Sequence, residues 1–169
     1  KFVDRLFVIL PFEKVYFQER NVDVSYYGHP LLDVVNTYRA SHPVASREVY
    51  SIFPGSRKQE IAKILPQMME GAKRTIFDTF YISKAPSIPP EFYHELIDDK
   101  NRFHLFEGDS YELFNHSQAA IVTSGTATLE CALFDVPQVV CYYGSKISYS
   151  IAKRLVKINF IALANLIVD

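Results

Sequence analysis

The sequence lacks any apolar run near the roughly 20 residues needed to span a bilayer, and its first residues do not read as a signal peptide. It also lacks an excess of either charge: 18 Lys and Arg stand against 19 Asp and Glu, a net charge of −1. A nucleic-acid binder usually carries a concentrated basic face, so nothing here favours that class. Cysteine is scarce, with two residues ten apart. Cys131 falls in an expected helix and Cys141 in an expected strand. Two cysteines on buried elements read as free core thiols, not as a disulfide or a metal pair, which fits a reducing cytoplasm. His42, His94, His104 and His116 show no ligand spacing and read as surface or loop residues. No G-x-G-x-x-G follows the first strand, which disfavours an NAD-binding Rossmann domain. There is no internal repeat and no low-complexity stretch.

What is present is 49% hydrophobic residues in a chain of 169, enough for a substantial core. The pattern predicts a strand over Arg5 to Leu10 and a short helix opened by Pro11, with Phe12, Val15 and Tyr16 at helical spacing. A second strand over Asp23 to Tyr27 leads through Gly28-His29-Pro30 into a helix from about Leu31 to Arg39. His29 is expected to have a positional role in that turn. Ala40 to Arg47 is polar, holds a proline and reads as a linker between two domains. From Glu48 onward strands and helices alternate. Strands are expected at Glu48–Phe53, Thr75–Ile82, Arg102–Phe106, Ala119–Thr123, Gln138–Tyr142 and Phe160–Leu163. Helices are expected from Arg57 to about Gly71, from Pro90 to Ile97, at Tyr111–Asn115, near Thr126–Phe134 and at Ile147–Val156. In the first of these Ile61, Ile64, Leu65, Met68 and Met69 share one face, and Pro66 should bend or interrupt it. Such alternation with short connections means a parallel α/β sheet with helices on both faces. Both ends look cut, because the chain begins and stops beside apolar strand patterns, so it reads as a piece of a longer protein.

Two glycines close strands and open helices. Gly55 lies in Phe53-Pro54-Gly55-Ser56-Arg57, and Gly125 in Thr123-Ser124-Gly125-Thr126-Ala127-Thr128-Leu129-Glu130. A small-residue turn from strand to helix brings unpaired N–H groups to one point at the positive helix end. In an open parallel sheet such turns lie at the carboxyl ends of the strands, where ligands bind. Two of them suggest a nucleotide-sugar or phosphate cleft. Ser56 and Gln59 also form a possible capping box. Arg57 then stands in the first helical turn, where a cation opposes the helix dipole unless an anion is present. Its planar fork suits a diphosphate and a departing one; the plainer alternative is an exposed or carboxylate-paired side chain. At the second turn Ser124, Gly125 and Thr126 offer hydroxyls and amides, and Glu130 lies one turn past Thr126. That carboxylate could accept both hydroxyls of a ribose, or Thr126 could be a plain cap and Glu130 a surface charge.

Five segments in order resemble lipid-A-disaccharide synthases, glycosyltransferases of the GT-B class. They are Phe7-Val8-Ile9-Leu10-Pro11-Phe12-Glu13-Lys14, Gly28-His29-Pro30-Leu31-Leu32-Asp33, Pro54-Gly55-Ser56-Arg57-Lys58-Gln59-Glu60, Thr123 to Glu130, and Ile151-Ala152-Lys153-Arg154-Leu155-Val156-Lys157 leading to Asn165-Leu166-Ile167. The resemblance spans the whole chain but only part of a family member. It implies transfer of 2,3-diacylglucosamine from UDP-2,3-diacylglucosamine to 2,3-diacylglucosamine 1-phosphate, giving a β-1,6-linked disaccharide phosphate and UDP, with no cofactor or metal. It implies that residues 1–40 end an N-terminal domain and form the crossover, and that 41–169 are a Rossmann-like nucleotide-binding domain cut short at its C-terminus. Arg57 and Asn165 are the implied catalytic residues. Gly55, Ser56, Arg57, Ser124, Gly125, Thr126 and Glu130 are the implied substrate-binding residues. Ala164 departs from the proline common in the family. The implied partners are the two acylated sugars and the cytoplasmic face of the inner membrane, where the enzyme is peripheral; a homodimer stays open. The general base is expected in the N-terminal domain, so this chain alone is expected to be inactive.

One further helix invites a membrane reading. Lys146, Lys153, Arg154 and Lys157 surround an amphipathic stripe of Ile147, Ile151, Leu155 and Val156, near Tyr142, Tyr143 and Tyr149. This is either a solvated face over a packed stripe or a surface for anionic lipid or the acceptor phosphate. The rival functions are another UDP-sugar GT-B transferase or epimerase, and a non-catalytic nucleotide-binding or dimerisation module.

Overall fold

A computed structural model describes residues 3–44 and 46–143. The expected helix Ile147–Val156, the strand Phe160–Leu163, the basic cluster from Lys146 to Lys157, Tyr149, Ala164 and Asn165 lie outside the described residues.

The chain begins with a two-stranded parallel sheet. Strands β1 (Leu6–Val8) and β2 (Val24–Tyr26) flank helix α1 (Pro11–Gln18). Pro11 opens α1, and the Glu13 carboxylate accepts from the amides of Ile9 and Leu10. This unit buries little: no residue of α1 is buried, and Phe7, Phe12, Val15, Tyr16 and Tyr27 are exposed. Helix α2 (Pro30–Ser41) follows, with Pro30 at its first position. His29 Nδ1 accepts from the Leu31 amide at 3.2 Å, so this histidine caps the helix.

The second sheet holds β3 (Val49–Phe53), β4 (Phe80–Ser83), β5 (Phe103–Phe106), β6 (Ser117–Thr123) and β7 (Gln138–Cys141). Every pairing is parallel, in the order β5-β4-β3-β6-β7. Helices α3 (Lys58–Lys73) and α4 (Pro90–Leu96) connect the strands on one side of β3. Helix α5 (Ser110–His116) lies in the crossing from β5 to β6 on the other side of β3, and α6 (Thr126–Leu133) joins β6 to β7. The core is split by the sheet. Ile52 joins Ile61, Leu65, Met68 and Met69 of α3 with Ile82, Tyr93 and Phe103. Its neighbour Phe53 points to the opposite face, as successive strand residues do, and joins Val35, Leu113, Phe114, Val122 and Phe134. Phe53 and Phe114 stack at 3.8 Å. Across the sheet the buried hydroxyls of Ser51 and Ser117 satisfy each other at 2.6 Å.

Three expectations need correction. Helix α3 runs unbroken through Pro66, because the burial of six residues on one face outweighs a lost backbone bond. The cap of α3 is Arg57, with no side-chain cap bond, so the Ser56–Gln59 box does not form. The strand expected from Thr75 starts only at Phe80. Arg102 donates to the carbonyls of Ala72, Thr75 and Phe77, and those carbonyls are thereby held in a turn. The polar segment after Arg39 is helical to Ser41, and it is fastened to the second sheet's helices. Arg39 donates to the Leu133 carbonyl and pairs with Asp135 at 2.8 Å. Arg47 donates to the carbonyls of Phe134 and Asp135, and buried Asn115 to that of His42.

Candidate functional site

The register brings the two glycine turns together. Phe53, the last residue of β3, pairs with Val122 of β6, so the turns after these strands leave the sheet side by side. They do so where the connections reverse direction, since β3 leads one way to β4 and β6 leads the other way to β7. Between them opens a cleft of about 460 Å³. The first turn contributes Gly55, Ser56, Arg57 and Glu60, and the second contributes Thr123, Ser124, Gly125, Thr126, Ala127 and Glu130. The described residues proposed from the sequence thus line one space. The expected Asn165 cannot be placed against it, lying outside the described residues.

Each turn has a definite construction. Gly55 adopts φ +100, a conformation that L side chains rarely take. Arg57 is extended, and its carbonyl accepts from the amides of Glu60 and Ile61. Its side chain is 78% exposed, and Nη1 donates to Glu60 Oε1 at 2.7 Å. The guanidinium is therefore carboxylate-paired as it stands. In the second turn Gly125 is the cap of α6. The Thr128 hydroxyl and amide both donate to the Gly125 carbonyl. The Ser124 amide donates to the Cys141 carbonyl at 2.8 Å, so that N–H is committed to the sheet end and is not among the free amides expected there. The amides of Thr126 and Ala127, ahead of the Thr128 bond, belong to the first turn, where helix N–H groups lack intrahelical partners.

Glu130 is half-buried in the cleft wall. Burial lifts its carboxyl above the usual range; the long 3.4 Å contact from the Tyr111 hydroxyl opposes that, and the Asp109 charge adds to it. Tyr111 is itself raised, first by burial and then by Glu130. Asp109 caps α5, its carboxylate accepting from the Tyr111 amide at 2.8 Å. Both cysteines are free, and burial pushes the Cys131 thiol up to about 12.

The far wall was not singled out from the sequence. Ser83 ends β4 and Ala85 and Pro86 follow it, while Ser110 and Phe114 belong to α5. The Ser83 and Ser110 hydroxyls lie 3.1 Å apart. A signal existed: these residues sit at or past the carboxyl ends of β4 and β5, the strands on one side of β3, where the same strand-end rule applies. A smaller recess of about 270 Å³ adjoins the cleft. Arg57, Glu60, Thr123 and Ser124 line both, and Gln59, Lys63, Ile64, Tyr142 and Tyr143 complete the recess.

A five-stranded parallel sheet in this order, helices on both faces and a cleft at its switch point define a Rossmann-like α/β domain of the GT-B kind. The chain belongs to the lipid-A-disaccharide synthetase family, whose model matches residues 1–169. It is 35% identical to the lipid-A-disaccharide synthase of Syntrophus aciditrophicus, over 98% of this chain and 46% of the relative. It is 33% identical to that of Acidobacterium capsulatum, over 100% of this chain and 48% of the relative. With that of Geobacter sulfurreducens the figures are 34%, 99% and 47%. The chain thus spans about half the length of the curated relatives it matches.

Proposed function

We propose that this chain is the nucleotide-binding part of a lipid-A-disaccharide synthase. The reaction is transfer of 2,3-diacylglucosamine from its UDP derivative to 2,3-diacylglucosamine 1-phosphate, with release of UDP. The observation that carries the reading is the convergence of both glycine turns, Arg57 and Glu130 on one cleft at the sheet's switch point, in a chain of this family. Arg57 would meet the diphosphate and stabilise it as it departs, because a planar charged fork matches phosphate oxygens. Ser124 to Thr126 would line the diphosphate pocket, and Glu130 would accept from the ribose hydroxyls. Asn165 would act near the same cleft.

The division of the chain follows from the same reading. Residues 1–40 would close an N-terminal domain and cross over, and the exposed Phe7, Phe12, Val15, Tyr16 and Tyr27 suit an element that belongs to a larger body. Residues from 41 onward would form the nucleotide-binding domain, with α2 resting on it. An inverting transfer needs a base and an aligned acceptor. Both would be supplied largely by the N-terminal domain, so the chain alone would not form disaccharide. No described helix is long and apolar enough to cross a membrane; a peripheral place at the cytoplasmic face of the inner membrane would bring the cleft to its acylated substrates.

Titration calorimetry with UDP tests the reading. UDP should bind, UMP should bind more weakly, and NAD should not compete. No heat at millimolar UDP, or equal binding of NAD, would overturn it.

A further inference from the structure

Arg57 and Glu60 form a single contact at the start of α3, Nη1 to Oε1 at 2.7 Å. Both line the main cleft and the adjoining recess, so the pair stands on the wall the two cavities share. Lys63 lies one turn further along α3 and lines the recess, its Nζ 5.8 Å from the centre of the Tyr143 ring. Glu60 therefore has a cation three residues before it and another three residues after it, spacings that bring both within reach on one helix face. The positive helix end also treats the two partners differently. It favours the Glu60 carboxylate in the first turn and disfavours the Arg57 guanidinium. A charge in that position is readily taken over by an anion, and the carboxylate left behind has a second cation to turn to.

We propose that Glu60 is a positioning residue that competes with the diphosphate for Arg57, recaptures the guanidinium and so speeds release of the nucleoside diphosphate. This rests on the assignment of Arg57 to a diphosphate. When a terminal phosphate engages Arg57, Glu60 passes to Lys63; when the phosphate leaves, Glu60 takes Arg57 back. A ligand that never reaches Arg57, such as a nucleoside monophosphate, is indifferent to the exchange. Exposed ion pairs shift an equilibrium by about 2- to 5-fold, and that sets the size of the effect.

The test is a double-mutant cycle on the chain, read by UDP and UMP affinity and by the rate of UDP dissociation. Glu60→Gln should tighten UDP by about 2- to 5-fold, through slower dissociation, and leave UMP unchanged. In an Arg57→Ala background the same substitution should do nothing to UDP. Lys63→Met should weaken UDP by roughly 2-fold with Glu60 present and have no effect in Glu60→Gln. Glutamine retains a helix-starting acceptor at this position, so a merely structural role would move neither the UDP-to-UMP ratio nor its dependence on Arg57. Unchanged or weaker UDP binding in Glu60→Gln, or equal tightening with and without Arg57, overturns the role of Glu60 alone. Equal UDP binding with and without Arg57 overturns the underlying assignment instead.

Discussion

The two glycine turns read alike in the sequence, and the structure builds them differently. At the first, Gly55 is crowded: a Cβ there would meet Thr123 Cγ2 at 3.0 Å, and φ is +100. At the second, a Cβ on Gly125 would meet nothing within 4 Å. Its φ of +157 still lies where side chains are rarely found, so both turns call for a glycine and only the first also lacks room for a Cβ. The first turn is held from outside, by a side chain of the neighbouring strand. The second is held from within, by the Thr128 hydroxyl on the Gly125 carbonyl and the Ser124 amide on the Cys141 carbonyl. The first carries the charges Arg57 and Glu60, while the second offers small residues and the half-buried Glu130. One cleft thus has a crowded side that carries an ion pair and a roomier side of small residues with one half-buried carboxylate.

The largest effect should come from breaking the crowded side. Gly55→Ala forces a side chain into a positive-φ position and against the Thr123 methyl, and should destabilise the fold by about 3 kcal/mol. Gly125→Ala carries the positive-φ strain too but meets open space, for about 2 kcal/mol. Urea midpoints for the two variants give the comparison directly. Thr123→Ser removes the crowding methyl and should recover about 1 kcal/mol of the Gly55→Ala loss, while leaving Gly125→Ala untouched. Equal costs at the two glycines would mean that the turns are not built differently.

The next effect is on binding. Arg57→Ala should weaken UDP by about 1.5–3 kcal/mol, the usual loss for a charge-assisted hydrogen bond, and UMP by clearly less. Folding stability should hardly change, since the exposed pair with Glu60 contributes at most about 1 kcal/mol. Calorimetry with both nucleotides separates the outcomes. Equal losses would place Arg57 away from the diphosphate and erase the distinction between a phosphate-binding side and a ribose-binding side.

The sheet and most of its helices were legible because apolar spacing records burial. The face Ile61, Ile64, Leu65, Met68 and Met69 is buried as its three- and four-residue spacing requires. What misled was local chemistry overruled at a distance. Thr75 to Thr79 has much of the apolar and β-branched composition of a strand, yet Arg102, some 25 residues on, gathers the carbonyls of the turn there. Ser56 and Gln59 have the spacing of a capping box, but the helix begins one residue later, at an arginine whose side chain turns to Glu60. Pro66 looked like a breaker because its cost is local, whereas the burial that overrides it is collective. In the cleft, residues on the two glycine turns could be found from composition alone. Ser83, Pro86, Ser110 and Phe114 had only the general strand-end signal, because it takes the strand order to show that β4 and α5 reach the same place.

The smallest expected effect separates the two sides most sharply. Glu130 is held above the usual carboxylate range chiefly by burial. The folded chain therefore binds a proton here more tightly than the unfolded chain. Between the ordinary carboxylate pKa and the raised one the folded state holds more protons, so this group's contribution falls as pH rises through that window and stays unfavourable above it. Glu130→Gln removes the charge, keeps an acceptor for Tyr111, and should raise stability at pH 7 by roughly 0.5 kcal/mol, about 1–2 °C in Tm. The gain should vanish on acidification below the usual carboxylate range. Binding should move the other way, by about 1 kcal/mol, because an amide carbonyl replaces a charged acceptor for the ribose hydroxyls. UDP and UMP carry the same ribose, so they should lose affinity equally, unlike the unequal losses expected at Arg57. Melting curves across pH, with calorimetry on both nucleotides, check the two halves. A variant less stable than the parent at pH 7 would overturn the burial argument, and unequal losses would move Glu130 off the ribose and onto the phosphates.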